Sequence, residues 1–230
     1  MELLEALRTT GTIRDFRPEP VADEAIYRIL EAARFAPSGG NRQSWHVVLV
    51  KDPAIRTGLR DLYLPTWYEY LSQRGAGLVP FAPLTDESAE AQAIASAGDV
   101  AAEARRGPGG FAEHLDEAPV ILVLLSDLRA LAAVDKHLDR YTFCGGASVY
   151  PFAWSLLLAA REEGLRGVMT TMVIGAEHQV RDLLAVPAEF AVAAVIALGY
   201  PRQEPRRLKR RAVGDFATVD RFDGAPLAGA

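Results

Sequence analysis

The hydrophobic positions of the chain form short apolar runs separated by stretches with helical spacing. Four runs rich in aliphatic residues predict strands, because turn residues or polar clusters bound them. They occupy residues 45–50, 119–125, 167–172 and 191–198. We interpret the first, second and fourth as buried strands and the third as strand-like.

The segments between these runs favour helices. From Val149 to Ala160 the apolar residues recur at i, i+3, i+4, i+7, i+8 and i+11, which predicts an amphipathic helix opened by Ser148. Gly164 is a suitable end for it. Further helices are predicted near Leu3 and over residues 23–36, 51–63 and 177–184. Helices on both sides of buried strands predict an α+β sandwich around one sheet.

Residues 65–117 break this pattern, with prolines at 80 and 83 and an Ala/Glu-rich piece over 87–106. We interpret them as a lid-like insertion with one or two helices, because long irregular segments are usually functional. Aromatic rings can supply a second apolar wall for a planar substrate, so we predict substrate and lid roles for Trp67, Tyr68, Tyr70 and Phe81. The alternative is that these rings pack on a dimer surface and have no role in turnover.

Composition narrows the class of protein. The 230 residues carry 25 Lys and Arg against 30 Asp and Glu, a formal net charge of −5, and half are hydrophobic. These globular values predict a single domain over residues 1–230. The acidic balance argues against nucleic-acid binding. No apolar run approaches the ~20 residues of a membrane span. Residues 1–8 show no export signal, and the lone Cys144 favours a cytoplasmic protein without disulfides.

Several catalytic signatures are absent. The chain has no G-x-S-x-G elbow and no phosphate-binding G-x-x-x-x-G-K-[ST] loop, and its four histidines lack metal-ligand spacing, so we predict no metal site. Residues 107–112, Gly-Pro-Gly-Gly-Phe-Ala, match G-x-G-x-x-A. They follow a polar segment and not a strand, so we interpret them as a flexible hinge.

Three separated segments carry the candidate chemistry: residues 10–16, 36–45 and the basic tail over 202–211. Asn41, the only asparagine of the chain, lies in the Gly-rich loop of the second segment. Its amide, the amide of Gln43 and closely approaching backbone suit the edge of a flat polar heterocycle. Arginines of the first and third segments can neutralise a phosphate.

Each segment also has a plainer interpretation. The loop over 38–43 can be an ordinary helix-to-strand turn, and the basic tail can be a solvated surface. Arg14 can form a salt bridge with Asp15 or Glu19. The residue types alone leave these alternatives open.

The motifs nevertheless follow a known order. Thr10-Gly-Thr-Ile-Arg-Asp-Phe16 is a reduced form of Arg-Arg-Ser-x-Arg-x-Phe, and residues 36–45 almost complete Ala-Pro-Ser-x-x-Asn-x-Gln-Pro-Trp. These are motifs of the nitroreductase family of FMN-dependent oxidoreductases, which the sequence resembles. Residues 147–167 resemble the central helix of that family and its Gly-Leu-Gly exit. Residues 197–201 and 209–211 resemble its last strand and its phosphate-binding segment. The resemblance covers most of the chain except residues 65–117.

The chain departs from the family pattern at four places. Thr10 and Gly11 replace the two leading arginines, and Ser44 replaces the proline before Trp45. Residues 154–155 are Trp-Ser instead of Gln-Asn, and Arg166 stands within the Gly-Leu-Gly exit. We expect these differences to change flavin affinity or substrate choice without removing the flavin site.

The resemblance implies a nitroreductase-like α+β sandwich, with helices flanking a mixed, mainly antiparallel sheet. It also implies an intertwined homodimer with two FMN molecules in the interface, where different subunits can serve one flavin. The residues implied at the phosphate and ribityl end are Thr10, Thr12, Arg14, Lys209 and Arg210. Those implied along the isoalloxazine ring are Pro37, Ser38, Gly39, Asn41 and Gln43. Those implied at the N5/O4 edge are Met169, Thr170 and Thr171.

The implied reaction is a ping-pong transfer of hydride from NAD(P)H through FMN N5 to an oxidised small-molecule acceptor of the nitroaromatic, quinone or enone type. The cofactor carries this chemistry, so no side chain has to act as nucleophile or base. The alternatives are another flavin reaction on the same fold, such as reductive dehalogenation or flavin fragmentation, and a non-catalytic flavin-binding protein.

Overall fold

The computed structural model describes residues 2–203 and 207–229, and the chain divides into two compact units. The larger unit is Thr12–Glu204, and the smaller unit combines Met1–Gly11 with Pro205–Ala230. Residues 204–206 of the predicted basic tail lie outside the described residues. A single domain over the whole chain stays a prediction.

The larger unit is built on a four-stranded sheet. Its strands are β1 (Trp45–Leu49), β2 (Val120–Asp127), β3 (Arg166–Thr170) and β4 (Phe190–Gly199), in the order β1-β2-β4-β3. All three neighbouring pairs are antiparallel. The four strands confirm the sequence prediction with ends displaced by one or two residues. The sheet and its flanking helices confirm the predicted α+β class.

The described residues of this unit form six α-helices: α2 (Asp23–Ala33), α3 (Pro53–Gly75), α4 (Glu87–Ala95), α5 (Ala97–Ala104), α6 (Tyr150–Ala159) and α7 (Glu177–Leu183). The side chains of β2 alternate between two apolar layers, because successive residues of a strand point to opposite faces. Leu122 and Leu124 pack with α2 and α6. Ile121 and Val123 pack with α3 and α7. The sheet is therefore covered on both faces.

Helix α3 corrects the boundary predicted at Pro65. It runs unbroken from residue 53 to residue 75, so the aromatic residues at 67, 68 and 70 lie on a helix and not in an irregular insertion. A proline inside a helix costs about 3 kcal/mol, because it lacks an N–H and crowds the preceding turn. The buried side chains of Leu59, Tyr63 and Tyr68 offset that cost, and the Asp52 carboxylate caps the first turn. Helices α4 and α5 lie in the Ala/Glu-rich piece and agree with the one or two helices predicted for residues 65–117.

The smaller unit contains helix α1 (Leu3–Thr9) and the C-terminal tail. The Leu208 N–H donates to the Arg8 carbonyl at 3.0 Å. A Cβ on Gly11 would lie 2.9 Å from Leu208 Cδ2, so glycine allows this close approach. Farther along, Thr218 and Pro226 form an antiparallel bridge. The tail thus runs beside the first turns of the chain within this unit.

Across residues 2–203 and 207–229, no helix has both the length and the apolar character required to cross a bilayer.

Candidate functional site

The larger unit contains a cavity of about 420 Å³ between α3, the end of β3 and residues 110–113. We name it the α3–β3 cavity. Its lining residues are Arg14, Tyr63, Trp67, Tyr70, Arg74, Gly110, Phe111, Ala112, Glu113, Met169, Thr170, Thr171 and Met172. A largely apolar cavity of this size with a few polar groups is typical of a small-molecule site. It brings together six predicted site residues, namely Arg14, Trp67, Tyr70 and 169–171.

Arg14 reaches this cavity because the first motif runs beside β3. The Ile13 N–H donates to the Gly167 carbonyl at 3.0 Å, and Phe16 forms an antiparallel bridge with Pro201. The motif is therefore fixed on both sides of Arg14, although no helix or strand contains it.

The salt bridge considered for Arg14 does not form. Asp15 pairs with Arg202, Oδ1 to Nε at 3.0 Å. Glu19 pairs with Arg17, Oε1 to Nη1 at 3.1 Å. Within the described part of the chain no carboxylate pairs with Arg14, which leaves its guanidinium available to a ligand. A guanidinium is a strong partner for an anionic or carbonyl-rich group.

The floor of the cavity is a buried hydroxyl pair. The Tyr63 Oη lies 3.1 Å from Thr170 Oγ1, and burial raises the pKa of the Tyr63 phenol. Thr170 is the last residue of β3, so Thr171 follows beyond the end of the strand. Tyr63 was not among the predicted site residues, although it lies one helical turn before Trp67. A helix continued through Pro65 places the two side chains on the same helical face.

Trp67 and Tyr70 form one wall of the cavity. Their ring centroids are 5.3 Å apart and their planes differ by 9°, so the two rings are stacked. They present a flat apolar surface that suits a planar ligand. Arg74, which the sequence analysis also missed, lines the cavity one turn farther along α3.

The other two predicted lid aromatics lie elsewhere. Tyr68 is buried and faces α5, where it lines a separate cavity with Ala101 and Arg105. The helical period turns it away from Trp67 by about 100°. Phe81 lines a shallow depression that shares Thr171 and Met172 with the α3–β3 cavity. The four residues therefore do not form one surface, and their lid role stays a prediction.

The loop over residues 38–43 is not among the lining residues of the α3–β3 cavity. The Gly39 N–H donates to Ser148 Oγ at 3.0 Å, and the Gln43 N–H donates to Ser38 Oγ at 3.0 Å. Gln43 Nε2 also donates to Asn41 Oδ1 at 3.2 Å. These bonds support the ordinary-turn interpretation. The flavin roles of Pro37, Ser38, Gly39, Asn41 and Gln43 stay predictions.

The backbone of this loop constrains its residues. Gly40, Asn41 and Gln43 have φ values of 61°, 53° and 51°. Glycine adopts this region without cost, and asparagine tolerates it better than most residues. The only asparagine of the chain thus lies where its backbone preference is useful, apart from any ligand.

The predicted phosphate residues are divided between the two units. Lys209 and Arg210 are exposed in the smaller unit, where Arg210 Nη1 donates to the Lys209 carbonyl at 2.8 Å. Thr10, also in this unit, donates its hydroxyl to the Ala6 carbonyl at 2.7 Å. Thr12 belongs to the larger unit and is exposed. A shared phosphate site of these residues stays a prediction.

Among the described residues, His, Cys, Asp and Glu side chains form no group of three or more that could hold a metal ion.

An antiparallel sheet between two helical layers, with a cavity at the end of β3, defines this chain as an α+β protein. Residues 7–200 match the model of the nitroreductase family, and the chain belongs to this family. It is 31% identical over 193 residues to an NADH dehydrogenase of Thermus thermophilus, covering 84% of this chain and 83% of that protein.

Two further relatives are informative. The chain is 33% identical over 196 residues to a 5,6-dimethylbenzimidazole synthase of Rhodospirillum rubrum, covering 84% of this chain and 78% of that protein. A crystal structure of oxidized iodotyrosine deiodinase bound to FMN and 3-iodo-L-tyrosine has the same fold. Its TM-score is 0.65 at 22% identity, covering 96% of this chain and 100% of that one.

Proposed function

We propose that this protein is an FMN-dependent oxidoreductase that transfers hydride from NAD(P)H to an oxidised organic acceptor of the nitroaromatic, quinone or enone type. The observation that carries the proposal is the convergence of Arg14, the end of β3 and the stacked Trp67–Tyr70 pair on one cavity. Family membership supports FMN as the cofactor. When bound, FMN supplies the hydride chemistry, and the protein supplies binding and orientation.

The residues present fit such a ring. Arg14 has no carboxylate partner in the described part of the larger unit, so its charge is available to a group that gains negative charge on reduction. Thr170 and Thr171 offer hydroxyl and backbone groups at the end of β3. The stacked aromatic pair excludes water from one side and leaves a flat surface for the acceptor.

The 38–43 loop serves the flavin of a second subunit in this proposal. It does not line the α3–β3 cavity of its own chain, while α2, α6 and the residues directly after α2 expose large apolar side chains. These include Tyr27, Phe35 and Trp154, which are 70%, 75% and 38% exposed. Exposed apolar surface favours a protein partner, and a homodimer would bring the loop to a partner's cavity.

The phosphate end is assigned to Lys209 and Arg210. We expect Arg210→Ala to weaken FMN retention, because a charged hydrogen bond contributes on the order of 1.5–3 kcal/mol. Arg211→Ala is the matched control, since the Arg211 guanidinium lies over the Phe216 ring at 5.8 Å. Loss of FMN only in the Arg211 variant would move the assignment by one residue.

Anaerobic reduction tests the proposal directly. Purified protein, supplied with FMN, should be yellow, and NADH or NADPH should bleach it in the absence of oxygen. Added quinone or nitroaromatic should then restore the colour. Protein that binds no FMN would refute the proposal. Yellow protein that neither nucleotide bleaches would instead favour a non-catalytic flavin-binding protein.

A second candidate is a different reaction on the same cofactor. The relatives include a 5,6-dimethylbenzimidazole synthase and a deiodinase. The reduced protein should therefore be tested in two further reactions besides its reoxidation by quinones and nitroaromatics. Release of iodide from 3-iodo-L-tyrosine would indicate reductive dehalogenation. Irreversible loss of flavin absorbance in air, without an acceptor, would indicate flavin fragmentation.

A further inference from the structure

A second cavity of about 420 Å³ adjoins the α3–β3 cavity. We name it the Arg14–Arg202 cavity, and its charged lining residues are Arg14, Asp15, Arg17, His114, Glu117 and Arg202. The two cavities share Arg14, Gly110 and Phe111. Phe111 therefore lies in the wall between them.

Two aromatic neighbours orient the Phe111 ring. It contacts Tyr63 edge to face, with centroids 6.5 Å apart and planes at 86°. It contacts Phe16 in the same manner, at 6.5 Å and 72°. The backbone that carries it, residues 107–114, contains neither helix nor strand. The position of the ring therefore depends on these two aromatic contacts, and the position of the backbone depends on local hydrogen bonds.

The side chain of His114 makes two of the bonds that close this segment. Its Nε2 lies 2.8 Å from the Pro108 carbonyl, and its Nδ1 lies 3.0 Å from Glu117 Oε1. A carbonyl and a carboxylate only accept, so both bonds form when both ring nitrogens carry a proton. Gly109 has φ of 72°, and a Cβ there would lie 3.0 Å from His114 Nε2, so the turn folds directly against the imidazole.

The base of the segment is held independently. Arg56 Nε donates to the Asp116 carbonyl at 2.8 Å, and Arg56 also donates to the Ala118 carbonyl. Arg60 pairs with the Asp116 carboxylate at 2.8 Å. Within the segment, the Gly110 N–H donates to Glu113 Oε2 at 2.7 Å and the His114 N–H donates to the Gly110 carbonyl at 3.2 Å. Loss of the His114 side-chain bonds would therefore loosen the turn at residues 108–109, which precedes Phe111, while the base stays attached to α3.

We propose that His114 is a positioning residue that holds Phe111 in the wall between the two cavities, so that Phe111 limits the size of the acceptor. This inference rests on the proposed oxidoreductase function. Releasing the segment joins the two cavities, and a longer acceptor then fits. The effect of His114 on the acceptor is indirect, because it acts through Phe111.

The protonated imidazole gives this arrangement a pH dependence. The Pro108 carbonyl, and next Glu117, raise the pKa of His114 above its ordinary value. Both His114 bonds are therefore fully formed at pH values below the ordinary histidine pKa of about 6.5. They are lost as the pH rises through the raised pKa of His114. The other charged groups around the ring are Glu113 and Asp116 on its own segment and Arg14, Asp15, Arg17 and Arg202 across the cavity. Of these, Arg17 and Arg202 already have carboxylate partners.

Hydrogen exchange of residues 107–113 tests the closure without FMN. The exchange rate of a backbone amide depends on pH even without structure. Comparing the parent with His114→Gln at the same pH removes this contribution from the difference. We expect the parent to exchange about tenfold more slowly near pH 6 and to approach the variant near pH 9. His178→Gln, which changes an exposed histidine of α7, should match the parent. Equal exchange in parent and His114→Gln at all pH values would overturn the proposal.

Acceptor choice tests the second half of the proposal. With FMN-loaded enzyme, we expect the ratio of kcat/KM for a bulky quinone over a small quinone to rise about fivefold with pH in the parent. The ratio should be high and independent of pH in His114→Gln and in Phe111→Ala. Glu117→Gln removes the carboxylate and provides a second variant if the first does not fold.

If hydrogen exchange depends on His114 but the kcat/KM ratio of the parent enzyme does not change with pH, the role of Phe111 in acceptor choice is refuted. Failure of the proposed function has a different signature, because the protein would then lack FMN or resist reduction while the exchange result still reports on His114.

Discussion

The α3–β3 cavity and the 38–43 loop are the two regions proposed to hold one flavin, and they are built differently. The cavity takes its lining from the first motif, α3, residues 110–113 and the end of β3. The loop is mainly local, with hydrogen bonds between Ser38 and Gln43 and between Asn41 and Gln43, and one distant bond to Ser148. Its motif is nevertheless the more complete of the two in the sequence.

This contrast shows that a nearly complete sequence motif can reflect a constraint on the backbone of a loop. Positive φ values at Gly40, Asn41 and Gln43 restrict which residues the loop accepts. The cavity walls need only apolar bulk and a few polar groups, which many residues can supply. A local backbone constraint therefore leaves a clear sequence pattern, whereas a cavity of similar importance does not.

The largest effect is expected at Arg14, one of the three charged residues that line the α3–β3 cavity. Arg14→Ala should weaken FMN retention by about ten- to a hundredfold, because a charged hydrogen bond contributes on the order of 1.5–3 kcal/mol. Arg17→Ala is the control, since Arg17 lies in the same segment but pairs with Glu19. Titration of FMN into each apoprotein measures the difference. Equal losses in both variants would show that the cavity charge is not specific.

The next effect concerns the segment that supports the loop. A Cβ on Gly39 would lie 3.1 Å from Ala132 Cβ, and the segment that follows is anchored by the buried Asp135. Its Oδ2 accepts from the Phe143 and Cys144 N–H groups at 2.8 and 3.2 Å and from Arg140 at 3.1 Å. These donors hold the pKa of Asp135 well below its ordinary value.

Because the folded pKa is depressed, Asp135 stabilises the protein above the ordinary carboxyl pKa of about 4 and loses this effect as the pH falls toward the folded value. Asp135→Asn should therefore lower the urea midpoint at neutral pH, and the difference from the parent should shrink in acid. Asp139→Asn, an exposed neighbour, should change little. A pH-independent difference would contradict the assigned cause.

A smaller effect is expected at the floor of the cavity. Tyr63→Phe removes the hydrogen bond to Thr170 and should lower the free energy of unfolding by about 1 kcal/mol. Tyr70→Phe changes a half-buried ring in the wall of the same cavity and should be nearly neutral. Urea denaturation compares the two variants. If Tyr63→Phe is as stable as the parent, the hydroxyl pair does not stabilise the cavity.

The smallest effect is expected in the loop. Asn41→Gly keeps the positive φ without strain but removes the amide, so it should reduce FMN retention about threefold while leaving the fold unchanged. Asn41→Ala adds backbone strain to the same loss. Full FMN retention in Asn41→Gly, with destabilisation only in Asn41→Ala, would make Asn41 a turn residue and nothing more.

The sequence predicted the fold better than the site. Apolar runs found all four strands, and the spacing over 149–160 found α6 with Phe152, Ala153 and Leu156 buried as expected. The sequence prediction ended α3 before Pro65, because proline is normally incompatible with a helix interior, whereas the helix continues to Gly75. That error assigned Trp67 to an irregular segment and hid Arg74, and it separated Tyr63 from the residues that share its helical face beyond Pro65. The burial that stabilises α3 involves residues distant in sequence, so no local pattern could reveal it.

The sequence by itself determined the strands, the helical faces, the residue types of the 38–43 loop and the resemblance to the nitroreductase family. Only the tertiary structure decided that Arg14 and Thr170 line one cavity, that Asp15 and Glu19 pair with other arginines, and that Phe111 lines two cavities. The physical reason is the range of the interactions. Periodicity and φ preferences act between neighbours along the chain, whereas a cavity wall or an ion pair depends on which distant segments the packed sheet and helices bring together.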